Sequence, residues 1–231
     1  MLELRDVSFS TKDGPKAKIL DQISLVFKPN TFTIITGPNG SGKSTLADII
    51  MGIKPATSGT ITLDKEDITN LGITARAQKG LAYAFQQPVH LKGISVYELL
   101  NIASGELISK EDATKYLQKV GLAEEYLTRE ISDKLSGGEL KRIEIASVLA
   151  RNAKIIIFDE PEAGIDLWSF DNLIKVFKKL KSDNVTLIII SHQERILKLA
   201  DEIIVLDGGK IKQKGTPNKL LPQLIRRGSC N

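Results

Sequence analysis

The nine residues Gly37-Pro38-Asn39-Gly40-Ser41-Gly42-Lys43-Ser44-Thr45 constrain this chain more than any other segment. They fit G-x-x-x-x-G-K-[ST]. A β-branched run, Thr31–Thr36, precedes them, and a helical pattern from Lys43 to about Met51 follows. A triphosphate is a dense anion, and backbone N–H groups can surround it only where side chains are absent. Glycines permit both the close approach and the unusual dihedrals. The helix that starts after the loop turns its positive end toward the phosphates. Lys43 supplies a full charge to the β- and γ-phosphates, and Ser44 a hydroxyl for Mg²⁺. A glycine turn before an ordinary helix would need neither Lys43 nor Ser44. The motif specifies a nucleotide but not the machine.

The 231 residues, 42% of them hydrophobic, suffice for one domain with a substantial core, with room for an inserted segment. The longest apolar runs, Ile155–Phe158 and Leu187–Ile190, read as buried strands. Both fall far short of the roughly 18 residues that cross a bilayer. No basic-flanked apolar leader opens the chain, so a cytoplasmic protein without direct membrane insertion is expected. The single cysteine, Cys230, excludes an internal disulfide framework. It is either a loose thiol on the tail or a partner or metal contact.

The net charge of +4 is unevenly spread. Lys210, Lys212, Lys214, Lys219, Arg226 and Arg227 follow Gly208 with no acidic residue among them. That segment is a solvated tail or a docking surface for an acidic partner. No aromatic residues interleave with the charges, so no nucleic-acid partner is expected.

The N-terminal third reads as strands at Leu2–Phe9, Asp21–Phe27, Thr31–Thr36, Thr60–Leu63 and Leu81–Phe85, with Ser58-Gly59 as a turn. The middle, Pro88 to Arg151, is helical in pattern. Helices are expected at Val96–Ile102, from a capping box at Ser109/Asp112 to Val120, and over Gly138–Arg151. The last third alternates again: strand Ile155–Asp159, helix Trp168–Lys181, strand Val185–Ser191 and helix Arg195–Ala200. A hairpin around Asp207-Gly208-Gly209 and a helix opened by Thr216-Pro217 complete it. This alternation implies an α/β fold with a mainly parallel sheet flanked by helices. Residues 1–87 and 152–231 would form the nucleotide-binding core, and 88–151 a helical insertion.

Asp159 and Glu160 end a buried strand, where ligands collect in α/β sheets. Asp159 would hold Mg²⁺, and Glu160 would orient and polarise the attacking water. Alone the pair is a weak signal, but with the phosphate loop upstream it is a strong one.

Leu135-Ser136-Gly137-Gly138-Glu139 resembles the signature motif of ABC ATPases. Its serine, two glycines and helix N-terminus form a second anion nest. By itself it reads equally as a serine-capped helix. Other positions match that family in order. Gln86 resembles the glutamine that touches Mg²⁺ and water, Ala163-Gly164-Ile165-Asp166 the loop crossing the dimer interface, and His192 the histidine that contacts the γ-phosphate. The resemblance implies a P-loop NTPase with a RecA-like core, an antiparallel β subdomain and an inserted helical subdomain. It also implies Mg²⁺-dependent hydrolysis of ATP by a homodimer. Two ATP would be sandwiched, with Ser136, Gly137, Gly138 and Asp166 of one chain facing the nucleotide of the other. One position departs: the adenine-stacking aromatic of transporters falls at Thr11, with Phe9 nearby.

Several segments are similar to the Suf-type iron–sulfur cluster assembly ATPases. They are Ala84-Phe85-Gln86-Gln87-Pro88 with Lys92-Gly93-Ile94, Ser136 through Arg142, Glu162 where transporters commonly have threonine, and Glu194-Arg195-Ile196-Leu197. This likeness implies a motor that deforms a Suf-type scaffold protein. The alternative is the ATPase subunit of a transporter with separate transmembrane permease subunits. A non-hydrolytic regulatory nucleotide binder is a third class, opposed by intact Glu160 and His192.

Overall fold

The computed structural model describes residues 1–11, 18–86, 93–132, 134–165, 167–183 and 185–226. Strands β1 (Leu2–Ser10), β2 (Lys18–Phe27), β4 (Ser58–Leu63) and β5 (Glu66–Asp67) form an antiparallel sheet in the order β2-β1-β4-β5. A second sheet has the order β10-β9-β3-β8-β7-β6. Its strands are β3 (Phe32–Thr36), β6 (Leu81–Ala84), β7 (Ile155–Asp159), β8 (Thr186–Ile190), β9 (Glu202–Asp207) and β10 (Lys210–Gly215). All neighbours in it are parallel except the β9–β10 hairpin.

The strand period of two explains how this sheet is covered on both faces. Ile34, Ile156, Phe158, Leu187, Ile189 and Ile203 point into one core. There they meet helices α3 (Val96–Ser104), α4 (Lys110–Lys119), α5 (Gly137–Ala150), α6 (Leu167–Ser182) and α8 (Pro217–Arg226). Ile35, Ile155, Ile157, Ile188, Ile190 and Ile204 point the other way, toward α1 (Lys43–Met51) and the antiparallel sheet. Phe158 and Phe32 both pack edge-on against Phe177 of α6, at centroid distances of 5.3 and 6.1 Å. Helix α7 (Glu194–Leu197) is shorter than its sequence pattern, because the chain closes with tighter bonds at Leu199 and Ala200.

Two expectations need correction. Ser58-Gly59 is not a turn but the start of β4, beside an irregularity in β1. Gly59 sits at φ 92°, where a Cβ would lie 2.6 Å from the Asp6 carbonyl, so a glycine-specific close approach imitates a turn signal. Ser109 caps α4, but Asp112 bonds its hydroxyl rather than its backbone N–H. The longer Glu98 closes a full box on Ser95. The sequence reading also lacks β5, a short helix α2 (Ile73–Gln78) and the 3₁₀ turn Glu124–Thr128.

Helix α2 delivers a buried guanidinium. Arg76, 1% exposed, donates to the carbonyls of Ile49, Ile50, Thr69 and Leu71. Two of these belong to the last turn of α1, where Gly52 N–H reaches Ile49 O and Arg76 supplies a further donor. Arg76 therefore fixes the helix that follows the phosphate loop. Among the described residues, no helix is long and apolar enough to cross a membrane.

Candidate functional site

The parallel strands deliver the site. At their carboxyl ends β3 runs into Gly37, β6 toward Gln86, β7 into Asp159-Glu160 and β8 into Ser191-His192. Register places Ala84 beside Phe158 and Asp159 beside Ile190, so these ends are neighbours.

The phosphate loop is built as a cradle. Gly37 passes so close to β9 that a Cβ would stand 1.8 Å from the Leu206 carbonyl oxygen. Gly42 caps α1 in the left-handed region at φ 103°, with no side chain on the cap and no acidic residue in the first turn. The uncapped N–H groups and the positive helix end suit an anion. Lys43 is buried, and its Nζ donates to Gly37 O at 2.8 Å and Pro38 O at 3.0 Å. Burial lowers its pKa, opposed by the charges of Glu160 and Asp159. Asn39, Gly40, Gly42, Lys43, Ser44 and Thr45 share one open pocket with Ile19, Gln86 and Glu160.

Glu160 stands at the centre of the carboxylate side. Gln86 Nε2 donates to its Oε2 at 2.7 Å, and His192 Nε2 lies 3.8 Å from its Oε1. Burial first, then the charge of Lys43, lowers the His192 pKa, with Glu160 opposing. The imidazole is therefore neutral near pH 7, and the 3.8 Å approach is not an ion pair. Glu160 itself adopts φ 44°, uncommon outside glycine, and its N–H is held by Ile190 O.

Asp159 is 3% exposed. Tyr83 donates to its Oδ2 at 3.1 Å, and burial raises its pKa against hydrogen bonds from Ser44 and Tyr83. Three buried polar atoms around this pocket have no hydrogen-bond partner among the described residues: Ser41 Oγ, Asp159 Oδ1 and His192 Nε2. Unpaired buried groups are costly. A triphosphate with its Mg²⁺ would satisfy these three, so the residues present fit both groups. Ser44, Asp159 and Gln86 would hold the metal.

Ser136 is not among the residues lining that pocket. It caps α5 in a full box: its Oγ accepts from Glu139 N–H, and its own N–H donates to Glu139 Oε2 at 2.7 Å. Glu139 is held in turn by Tyr126. The serine-cap reading of the motif is thus what the structure shows. Gly137 packs beside the Gly164 carbonyl, so the signature turn and the loop after Glu160 meet within one chain. Asp166, Gln87–Lys92 and Cys230 lie outside the described residues.

The sequence reading gave no site role to Tyr83, Ser191, Ile19, Lys141 or Glu144, Lys141 entering it only within the Ser136 through Arg142 segment. Ser191 bonds the buried Glu162 carboxyl and accepts from Gln193 N–H, which fixes the turn that carries His192. Phe9 packs against the core beneath the antiparallel sheet, and Ile19 rather than Phe9 lines the pocket. Of the basic C-terminal segment, Lys210 pairs with Asp21 and Lys214 with Glu202.

Comparison with known proteins decides the family. The ABC transporter family model matches residues 20–163, which span the phosphate loop, the signature turn and Asp159-Glu160. The chain belongs to the ABC transporter ATPase family. An uncharacterized ABC transporter ATP-binding protein of Methanocaldococcus jannaschii is 38% identical over 213 residues, 88% of this chain and 85% of that protein. The lipopolysaccharide export system ATP-binding protein LptB of Haemophilus influenzae is 33% identical, covering 91% and 89%. Among solved structures, a dimeric ATP-binding cassette in a post-hydrolysis state, bound to ADP and phosphate, superposes with a TM-score of 0.84. It is 26% identical and covers 94% of this chain and 99% of that one. The fold is that of the ABC cassette, and the activity of the family is Mg²⁺-dependent ATP hydrolysis.

Proposed function

We propose that this ABC ATPase is the ATP-binding subunit of a membrane transporter whose spans lie on separate transmembrane chains. The support is that the M. jannaschii and H. influenzae relatives above are both transporter ATP-binding proteins. Neither bears a Suf name, which weighs against a Suf-type scaffold as the partner.

The observation that carries the hydrolytic part is Glu160, bracketed by Gln86 and His192 at the mouth of the Lys43 pocket. Lys43 and the N–H groups of Gly40 to Thr45 bind the phosphates. Glu160 orients the attacking water and accepts its proton, Gln86 holds that carboxylate in place, and neutral His192 donates toward the γ-phosphate from Nε2. Mg²⁺, when bound, neutralises charge on the β- and γ-phosphates. The nest of Ser136, Gly137 and Gly138, set apart from the pocket, serves the nucleotide of a second copy, with Asp166 at the same interface. Two chains then close on two ATP, and the closed state binds ATP better than the open one, which transmits the energy.

The Suf-type reading keeps one specific observation. Glu162, at the position commonly threonine in transporters, is tied through Ser191 to the His192 turn. Purification of the tagged chain from its host separates the two. A polytopic membrane protein in the complex supports the transporter. A soluble scaffold with assayable iron and sulfide overturns it.

A further inference from the structure

We infer that Lys141 and Glu144 are positioning residues that tie the helix behind Ser136 to the segment carrying Gln86. Strand β6 ends at Ala84, and beyond it Phe85 has no strand partner for its backbone. Two side chains of α5 take over. Lys141 Nζ donates to Phe85 O at 2.5 Å and approaches Gln86 O at 3.4 Å. Glu144 Oε1 accepts from Phe85 N–H at 2.9 Å. Glu144 Oε2 lies 2.9 Å from Lys141 Nζ, one helical turn away, and Lys141 is 1% exposed.

One largely buried ion pair thus satisfies both polar groups of the same peptide residue. Burying such a pair costs desolvation, and the two charge-assisted backbone bonds offset it. A hydrophobic staple would fix α5 to the sheet at lower cost, but it would not grip Phe85 in both directions along the backbone. Ser136 caps α5, and a rise of about 1.5 Å per residue sets Glu144 roughly 12 Å from it along a rigid rod. Displacement of the signature turn therefore moves the pair, the pair moves Phe85 and Gln86, and Gln86 moves against Glu160, to which it donates at 2.7 Å. This link rests on the role proposed above for Gln86. It holds whether the partner is a permease or a scaffold.

The test is a mutant cycle on the full chain. It compares Lys141→Met/Glu144→Leu, which keeps the interior neutral and filled, with Gln86→Ala and with all three substitutions together. Steady-state kcat and KM are measured alongside direct ATP binding. The pair variant is expected to lose about tenfold in kcat, with KM and ATP affinity within about twofold. In the Gln86→Ala background the same pair change is expected to cost less than about twofold, because the linked group is already gone. An undiminished kcat, or a tenfold loss that persists on top of Gln86→Ala, overturns the link. If Gln86→Ala alone leaves kcat unchanged, the role given to Gln86 fails, and the link with it. Glu144→Gln, nearly isosteric, covers the case in which the pair variant does not fold. It is expected to lower kcat about threefold at unchanged ATP affinity, and wild-type kcat would contradict the inference.

Discussion

Gln86 and Glu160 join the ends of two neighbouring parallel strands through a 2.7 Å bond from Nε2 to Oε2. The carboxylate sits in a backbone conformation at φ 44° that few side chains adopt. Strain of about 1–3 kcal/mol at such a position is retained where geometry matters. Glu160→Gln keeps the shape and removes the proton acceptor. Phosphate release is expected to fall by about 100-fold or more, with ATP binding preserved. A turnover rate equal to wild type would show that another group orients the water.

Lys43 sits buried against the carbonyls of its own loop, and burial lowers its pKa. A cation with a lowered folded pKa costs stability at all pH values below that pKa, including neutrality. Lys43→Met is expected to weaken ATP binding by about 100-fold while leaving the melting temperature unchanged or a few degrees higher. Calorimetric titration with ATP and thermal melts of the same sample check both halves.

Arg76 serves four backbone carbonyls from a 1% exposed position and is not among the residues lining the nucleotide pocket. Arg76→Met removes a donor from four carbonyls, of which Ile49 O keeps Gly52 N–H. A loss of about 3–5 kcal/mol is expected, or roughly 10 °C in melting temperature for a chain of this size. Differential scanning calorimetry reads it. A shift of only one or two degrees would mean that water replaces the guanidinium.

The legible parts of this molecule are those encoded locally. The phosphate loop, the strand ending at Asp159, the β9–β10 hairpin and the proline at the head of α8 are all local signals, and the structure shows each. The groups that the sequence hid act over long separations. No local signal marks Arg76, whose partners are brought to it by α1 and the Leu71 turn. Nothing local in the sequence marks Lys141 and Glu144 as interior, and only the end of β6 against α5 makes them so. Ile19 reaches the pocket because β2 happens to pass the phosphate loop, as its contact with Gly42 shows. Ser58-Gly59 misled for the opposite reason: glycine there answers a tertiary approach to Asp6 rather than a local turn.

Glu162 gives a pH signature. Burial raises its pKa above the ordinary carboxylate value, more than the bond with Ser191 lowers it. Between the ordinary value, about 4.3, and the raised one, the folded chain holds more protons than the unfolded chain. Stability therefore falls as pH rises through that window. Glu162→Gln is expected to be more stable than wild type at pH 7, with the difference shrinking into acid and vanishing below about pH 4. Urea melts at several pH values check this. A pH-independent difference would place the carboxyl in solvent.

On the function proposed above, the Lys43 pocket and the Ser136 turn are two half-sites that a second copy brings together. Light scattering of Glu160→Gln with Mg²⁺ and ATP puts this to the test. The expected particle has twice the mass of the chain and holds two ATP, and it does not form when Ser136→Arg is added, although each single chain still binds ATP. A protein that stays monomeric at saturating ATP, or a dimer indifferent to Ser136→Arg, would contradict the shared site.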